Sequence, residues 1–253
     1  TQAESSAASD VYKRQEVLWG KVLELGWTGI RIPEEYDGLG LGHLELCVIA
    51  EEIGRALAPI PFSSSVYLFT ETIIKYGSDE IKKNILPKLV TGEIVGTYAV
   101  AEDMSAITES TLSCAVEGDS VNGVKIAVPD AELATHAVVL VKGTKGPELR
   151  LVDLNSDGVE ISLQKNLDKS RSFYKVAFNN AQSSLLGDQG SGWESHVHIM
   201  DQAAVLFAFE QVGGSQQALD MAKGYAMERY AFGRQIGSYQ AIKHKLADMY
   251  VAV

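Results

Sequence analysis

Apolar positions along this chain recur with two different periods, and the changes of period divide it into three stretches. Over residues 16–93 the period is helical. In HLELCVIAEEIGRALA, Leu46, Ile49, Ile53 and Leu57 fall on one helix face, and Pro59 and Pro61 end that helix. Val66, Phe69, Ile73 and Ile74 predict a second helix over residues 63–76, with Gly77 as its left-handed stop. Ser78 caps a third helix. Asp79 and Glu80 sit where the helix dipole favours acids, and Ile81, Ile85 and Leu89 form the apolar stripe. Between the first pieces, RIPEEYDGLGLG is rich in Pro and Gly and reads as a fixed irregular loop.

From about residue 94 to 185 the period is two. Seven short runs alternate: GTYAV, TLSCAVEG, SVNGVKIAV, HAVVLVKG, ELRLVDL, GVEISL and SFYKVAF. Gly118-Asp119 and Asn122-Gly123 read as turn dipeptides between them. Strands without intervening helices indicate an antiparallel barrel or sandwich, not βαβ units. From 186 to 253 the helical period returns. Val205, Phe209, Val212, Leu219, Ala222 and Ala226 predict one stripe of a long helix. Gly213 and Gly214 inside it each cost about 1 kcal/mol relative to Ala. Close approach of another helix or a ligand is the expected compensation. A turn at AFGRQIGS leads to a last helix carrying Ile242, Leu246, Met249 and Val253. The fold class is α+β, with a helical domain over 16–93, a β domain over 94–185 and a helical domain over 186–253.

The two ends are set apart. Residues 1–15 are Ser/Ala-rich and then basic, without periodicity, and read as a disordered arm. Asp10–Gln15, DVYKRQ, matches the in-frame translation of a sequencing-library adapter, so residues 1–15 are left out of the fold as artefactual. At the other end, MYVAV carries no stop signal. The chain is expected to end inside an element, as a fragment lacking most of its last helical domain.

Composition narrows the function classes. Of the 253 residues, 46% are hydrophobic and 22% charged, the make-up of a globular protein. Lys plus Arg is 22 and Asp plus Glu is 33, a formal charge of −11. Such a chain is a poor nonspecific ligand for nucleic acid or an anionic membrane, since that binding starts from a basic patch. No apolar run is long enough to span a bilayer, and no secretory signal is visible. The two cysteines, Cys47 and Cys114, are far apart and form no CxxC pair. They read as buried free thiols in a reducing cytosol, and the expected location is cytoplasmic.

Several short matches carry no chemistry. Gly187, Gly190 and Gly192 lack the βαβ frame of a dinucleotide fingerprint. His196 and His198, two apart on a helix, point about 200° away from each other and cannot share a metal. Tyr239 and Lys243 have the spacing of a short-chain reductase pair, without a preceding Rossmann strand.

ERYAFGRQIGSYQAIKHKLADM, residues 228–249, is more informative. It resembles the acyl-CoA dehydrogenase family, whose C-terminal domain carries R-x-x-F-G…Q at this spacing. GWTGIRIPEEYDGLGLG is similar to the family's N-terminal P-E-x-Y-G-G-x-G loop, with Asp37 in place of one Gly. LPKLVTGEIVGTYAVAED resembles the approach to the flavin loop, and SLLGDQGSGW the passage into the helical bundle. The resemblance implies a helical N-terminal domain, an antiparallel β-barrel middle domain and the start of a C-terminal four-helix bundle. It also implies FAD, which accepts hydride from Cβ of an acyl-CoA while a carboxylate removes the α-proton. Implied partners are an acyl-CoA substrate, a homo- or hetero-oligomer through the bundle, and electron-transfer flavoprotein as electron acceptor. On the family pattern Arg229, Phe232 and Gln240 touch the FAD of a neighbouring subunit, Tyr98 starts the flavin loop, and Glu102 is its acidic residue.

Departures from the pattern concentrate in one place. Where the family loop reads T-E-P-x-x-G-S-D, this chain has Ala101, Glu102, Asp103, Met104, Ser105 and Ala106. Where the family has N-G-x-K-x-W-I-T, the Trp is Ala127 and the last Thr is Pro129. The half of the site a subunit gives its own flavin is eroded, while the half offered to a neighbour persists. The catalytic carboxylate of most members lies beyond residue 253. Members that carry it on the long helix place it after an L-D pair, where this chain has Met200, Asp201, Gln202, Ala203 and Ala204. Glu210, two turns past Ala203, is the candidate base, against an ion pair inside the bundle as the plain reading. The primary reading is an acyl-CoA dehydrogenase-like flavoprotein, carrying out α,β-dehydrogenation of an acyl-CoA thioester with FAD as hydride acceptor; the alternative is a non-catalytic partner subunit of a heteromeric acyl-CoA dehydrogenase that completes a neighbour's FAD site. A third, an acyl-CoA-binding scaffold without redox chemistry, has no positive feature.

Overall fold

The computed structural model describes residues 17–168 and 171–253, so the arm expected over residues 1–15 lies outside the described residues. By contacts the chain forms two compact units. One comprises Thr1–His43 and Pro59–Ala203, the other Leu44–Ala58 and Ala204–Val253.

The first unit begins with helix α1, residues 17–24, followed by single 3₁₀ turns at Trp27–Gly29 and Glu34–Tyr36. The Pro/Gly loop is fixed, as its composition predicts. Asp37 stands at φ 65°, the left-handed conformation a Gly would supply and Asp tolerates. The Arg31 guanidinium donates to Glu71 Oε1 at 2.8 Å and to the Leu41 carbonyl at 2.7 Å. After helix α2 (His43–Ala56), the chain runs into a helix that is π-wound over Ser63–Thr70 and α-wound as α3 over Glu71–Tyr76. The π segment is buried throughout, and the hydroxyls of Ser64, Ser65 and Thr70 are bonded. Ser64 Oγ donates to Asp130 Oδ2 at 2.7 Å, Thr70 Oγ1 to the Ser65 carbonyl at 2.8 Å, and Ser65 Oγ accepts the Gly96 N–H at 3.1 Å. Gly77 is extended, not left-handed (φ −66°, ψ 140°). The left-handed stop comes one helix later, at Gly92 after α4 (Asp79–Thr91). Ser78 caps α4 as expected, its Oγ accepting the Ile81 N–H at 3.3 Å.

All seven alternating runs are strands: β1 (Gly96–Ala99), β2 (Ala115–Glu117), β3 (Ser120–Pro129), β4 (His136–Gly143), β5 (Gly146–Asp153), β6 (Val159–Gln164) and β7 (Phe173–Leu186). The sheet closes on itself. β4 pairs β2, β2 pairs β3, β3 pairs β7, β7 pairs β5, and β5 returns to β4. β1 joins the β2 edge of β4, and β6 joins the β5 edge of β7. Inward residues Val121, Val139, Val141, Val152, Val176 and Phe178 form the barrel core. Two features correct the expectation. The pairings β1–β4 and β2–β4 are parallel, so the barrel is mixed rather than wholly antiparallel. Asn122-Gly123 is not a turn; it lies inside β3 at a register shift. Glycine is required there because a Cβ at Gly123 would overlap Cys114.

In the second unit, α2 crosses the later part of α5 (Gly192–Glu228), and a hairpin of β8 (Tyr230–Ala231) and β9 (Arg234–Gln235) leads to α6 (Gln240–Ala252). The crossing accounts for the glycines. A Cβ at Gly213 would overlap the Glu51 carbonyl, and one at Gly54 the Glu210 carbonyl. Backbone meets backbone at this point. The predicted stripe shifts accordingly. Leu219 and Ala226 are buried, but Val205 and Val212 are exposed, and Leu206 and Gly213 take the inner positions instead. On α2, Leu46 and Ile53 are buried as expected, whereas Leu57 is exposed at φ 45° beyond the helix end.

Two glycines of α5 therefore respond oppositely to the same substitution. Gly213→Ala is expected to destabilise by about 1–3 kcal/mol through overpacking. Gly224→Ala, where an added Cβ meets nothing within 4 Å, is expected to stabilise by up to about 1 kcal/mol through helix propensity. Urea midpoints of the two variants against the parent check this; equal shifts would refute the close crossing.

Candidate functional site

The barrel edge where the flavin-loop residues fall is organised around one buried cation. Lys125 on β3 has no exposed side-chain surface. Its ammonium donates to Glu102 Oε1 at 2.7 Å and to the Val100 carbonyl at 3.0 Å. Glu102 also accepts the Ser113 hydroxyl at 2.6 Å, the Ser113 N–H at 2.7 Å and the Cys114 N–H at 3.0 Å. Burial pushes the Glu102 carboxyl up, but the bonds from Lys125 and Ser113 outweigh it and hold the group below its ordinary range. Burial pushes Lys125 down, with Glu102 opposing, and drives the Cys114 thiol up to about 11. Cys47 and Cys114 are both buried and free.

Tyr98 on β1 is buried too. Its hydroxyl lies 3.2 Å from His196 Nδ1, the two rings stack at 5.8 Å, and Trp193 packs on the same imidazole at 5.7 Å. Burial, with the charge of Lys125, lowers His196 to about 4, so the ring is neutral at physiological pH. His198 faces elsewhere. It meets Lys75 across a cleft of about 490 Å³ that Tyr76, Asp188, Ser195 and Asp201 also line. The two histidines of H-x-H thus serve different partners. Among the described residues no cluster of three His, Cys, Asp or Glu is placed to hold a metal, and no helix is long and apolar enough to cross a membrane.

The family resemblance implies a flavin, and the edge can be tested for donors to it. Ala101 and Ala127 carry no side-chain donor and Pro129 has no N–H. The Ala101 carbonyl accepts the Ile126 N–H at 2.8 Å. The Pro129 carbonyl accepts the Thr97 hydroxyl at 2.5 Å, and the Ala127 N–H goes to Gln164 Oε1 at 2.6 Å. Tyr98 and Glu102 are engaged within the chain as described. The donor set of this edge does not fit a flavin.

The second unit offers the opposite picture. The β8–β9 hairpin turns at Phe232 and Gly233, both at positive φ (52° and 78°). Gly accepts that conformation freely, whereas an aromatic residue adopts it at a cost. Phe232 is 96% exposed, and Arg229 and Gln240, flanking the hairpin, are exposed as well. The Arg229 guanidinium has no ion pair among the described residues, while Arg234 stacks 3.9 Å over the Tyr239 ring and Tyr239 Oη donates to the Ala231 carbonyl at 2.9 Å. A cation, an aromatic and an amide are thus held outward by a braced turn, a set suited to a phosphate-bearing aromatic group. Glu210 lies half-buried on α5 where Gly54 of α2 crosses.

Lys125 and Gln164 are not among the candidate site residues read from the sequence, and His196 enters there only as half of an H-x-H pair. Lys125 had a readable signal, a cation inside an alternating apolar strand, which requires a buried counter-charge. Gln164 and His196 had none, because their partners lie on strands distant in sequence.

Comparison with known proteins agrees with this architecture. The family model described as acyl-CoA dehydrogenase, N-terminal domain, matches residues 2–93, and the one described as acyl-CoA dehydrogenase, C-terminal domain, matches residues 190–253. The chain is 31% identical to isovaleryl-CoA dehydrogenase, mitochondrial, of Oryza sativa subsp. japonica, over 97% of this chain and 64% of that protein. Among solved structures, an acyl-CoA dehydrogenase from Geobacillus kaustophilus superposes with a TM-score of 0.87 at 25% identity, covering 96% of this chain and 69% of that one. The ChsE4-ChsE5 complex from Mycobacterium tuberculosis gives 0.80 at 26% identity, covering 93% and 64%. The chain therefore spans slightly under two thirds of the length of the rice protein.

Two titrations should be separable in the acid limb of stability. His196 has a lowered value, so between about pH 6.5 and 4 the unfolded chain takes up a proton the folded chain refuses, and stability falls across that window. Glu102 is also lowered, so its contribution is present above about pH 4.5 and lost as pH falls further. Melting temperature against pH is expected to lose part of its fall between about pH 6.5 and 4 in His196→Phe, the buried His136 keeping the rest, and to lose its lowest-pH component in Glu102→Gln. An unchanged profile in both variants would refute these assignments.

Proposed function

The chain belongs to the acyl-CoA dehydrogenase family, and on that premise we propose that it is a non-catalytic partner subunit of a heteromeric acyl-CoA dehydrogenase, contributing its hairpin to the FAD site of a neighbour. The observation that carries the reading is Phe232, almost wholly exposed and held at a costly left-handed φ on a braced turn beside Arg229, which has no ion pair among the described residues. Such strain persists where surrounding structure enforces it, and it clusters at binding sites. Arg229 would pair with the pyrophosphate, Phe232 would pack on the cofactor and Gln240 would donate to it. The similarity to a chain of the two-component ChsE4-ChsE5 complex supports an assembly of unlike subunits. When bound in the neighbour, FAD supplies the hydride acceptor for α,β-dehydrogenation of an acyl-CoA. This chain's own part is to orient and retain it. Electron-transfer flavoprotein is the electron acceptor in this reading. A cytoplasmic, reducing compartment is supported by the two free, buried thiols.

A second reading, a dehydrogenase working on its own FAD with Glu210 as base, is favoured by one observation. Glu210 is half-buried at a helix crossing rather than set on the surface. Loss of turnover by roughly two orders of magnitude or more in Glu210→Gln, with acyl-CoA affinity kept, would carry it.

Arg229→Ala separates binding from folding. A charge-assisted contact to pyrophosphate is worth about 1.5–3 kcal/mol, or roughly 10- to 150-fold in affinity. An exposed Arg just past a helix end contributes less than about 0.5 kcal/mol to stability. In the complex co-expressed with a flavin-binding partner, the variant is expected to lose FAD while the apo complex melts unchanged. Retained flavin affinity would refute the hairpin's role.

A further inference from the structure

The barrel edge is not merely short of donors; the out-of-ladder Ala127 N–H already has an acceptor within the chain. The register shift between Lys125 and Val128 takes Ala127 out of the β3–β7 ladder. Ala127 stands at φ 50°, a left-handed conformation that an alanine adopts at a cost. A strained bulge of this kind leaves an N–H without a strand partner. Here the Gln164 side chain, at the last position of β6, reaches across and accepts that N–H at 2.6 Å. An amide oxygen is the same kind of acceptor that a heterocyclic carbonyl presents. On either side the edge is closed by the Ile126 N–H to Ala101 carbonyl bond at 2.8 Å and by the two bonds of Lys125.

We propose that Gln164 is a built-in substitute for a ligand: it occupies the donor of the Ala127 bulge and seals this barrel's cofactor edge, so that the chain folds without a flavin of its own. That the flavin lies in another chain rests on the partner-subunit reading; the seal rests on the geometry of this edge alone. The side chains that would hold a flavin are absent from this edge, and the N–H of the bulge is satisfied from within. Ala127 is exposed, so water competes with Gln164 for this N–H, and the side chain keeps the bond within the chain. Gln164 is accordingly a positioning residue for the bulge, not a group that touches substrate.

The test reads the bulge directly. Amide hydrogen exchange of residues 125–128 is measured in the parent chain, in Gln164→Ala and in Gln164→Glu, which retains an acceptor. Exchange at Ala127 is expected to rise at least 10-fold in Gln164→Ala and to return toward the parent rate in Gln164→Glu. Equal rates in all three would overturn the seal. A titration with FAD supplies the second readout. The parent chain is expected to show no saturable binding, and stoichiometric uptake would overturn the proposal outright. In the Ala101→Thr/Pro129→Thr background, which restores a hydroxyl and an N–H, adding Gln164→Ala is expected to tighten FAD binding at least 10-fold; equal affinity would again count against it. Circular dichroism establishes that each variant is folded, and should the combined variant not fold, the exchange comparison and the parent titration decide. Failure of the partner-subunit reading looks different. Arg229→Ala would then leave the flavin of the complex intact, while exchange at Ala127 would still depend on Gln164.

Discussion

A lysine ammonium with no exposed surface must be neutralised where it lies, and the way this chain neutralises Lys125 fixes the mouth of its barrel. Removing an ion from water costs several kcal/mol even after relaxation, and only a close counter-charge with its other bonds satisfied offsets that. Glu102 supplies the counter-charge, and it also gathers the Ser113 hydroxyl and the amides of Ser113 and Cys114. One carboxylate thus ties the segment leaving β1 to the segment entering β2, and both to β3. Cys114 is brought under Gly123 by the same tie, which is why that position tolerates no side chain. Tyr98 and His196 lie next to this charge, and the neutral state of the imidazole follows in part from it.

The resulting chain has two surfaces of opposite character. At the barrel edge Lys125, Glu102, Tyr98 and the Ala127 N–H all have partners within the chain, and the residues expected to hold a flavin are small, cyclic or already engaged. At the hairpin, an arginine, a phenylalanine and a glutamine are turned outward, and the energy of folding is spent on holding them there. A protein that only needed a stable turn would not place an aromatic residue at positive φ and leave it in water. The contrast was visible as a pattern of departures and matches to a family, and the structure gives it a physical form.

Legibility in the sequence followed how local each feature is. All seven strands were readable, β7 because Tyr174, Val176 and Phe178 turn inward with Lys175 outward between them, and β4 as a short apolar run, Ala137–Val141, bounded by turn signals. The closure of the sheet and its two parallel pairings were not, since strand order is decided by contacts far apart in the chain. Asn122-Gly123 misled because the dipeptide signals freedom at positive φ, and a bulge needs that freedom as much as a turn does. The π-wound turns of Ser63–Thr70 left no mark, as apolar spacing over two turns barely distinguishes the two helical windings. The stripe of α5 was displaced because its closest packing uses Gly213 and Ala203, which contribute little to any apolar pattern. Of the site, Arg229, Phe232 and Gln240 were reachable only through family resemblance, and Gln164 not at all, since its meaning depends on a backbone irregularity two strands away.

The crossing of α2 and α5 sets a condition on synthesis. Gly54 and Gly213 are roughly 160 residues apart in the chain, and the ribosome adds about 5–20 residues per second. The bare face of α2 therefore waits about 10–30 s, while the whole barrel is made, before the backbone it is shaped to meet exists. During that interval the backbone at Gly54 has no side chain of its own to cover it. Its close packing is realised only once α5 arrives.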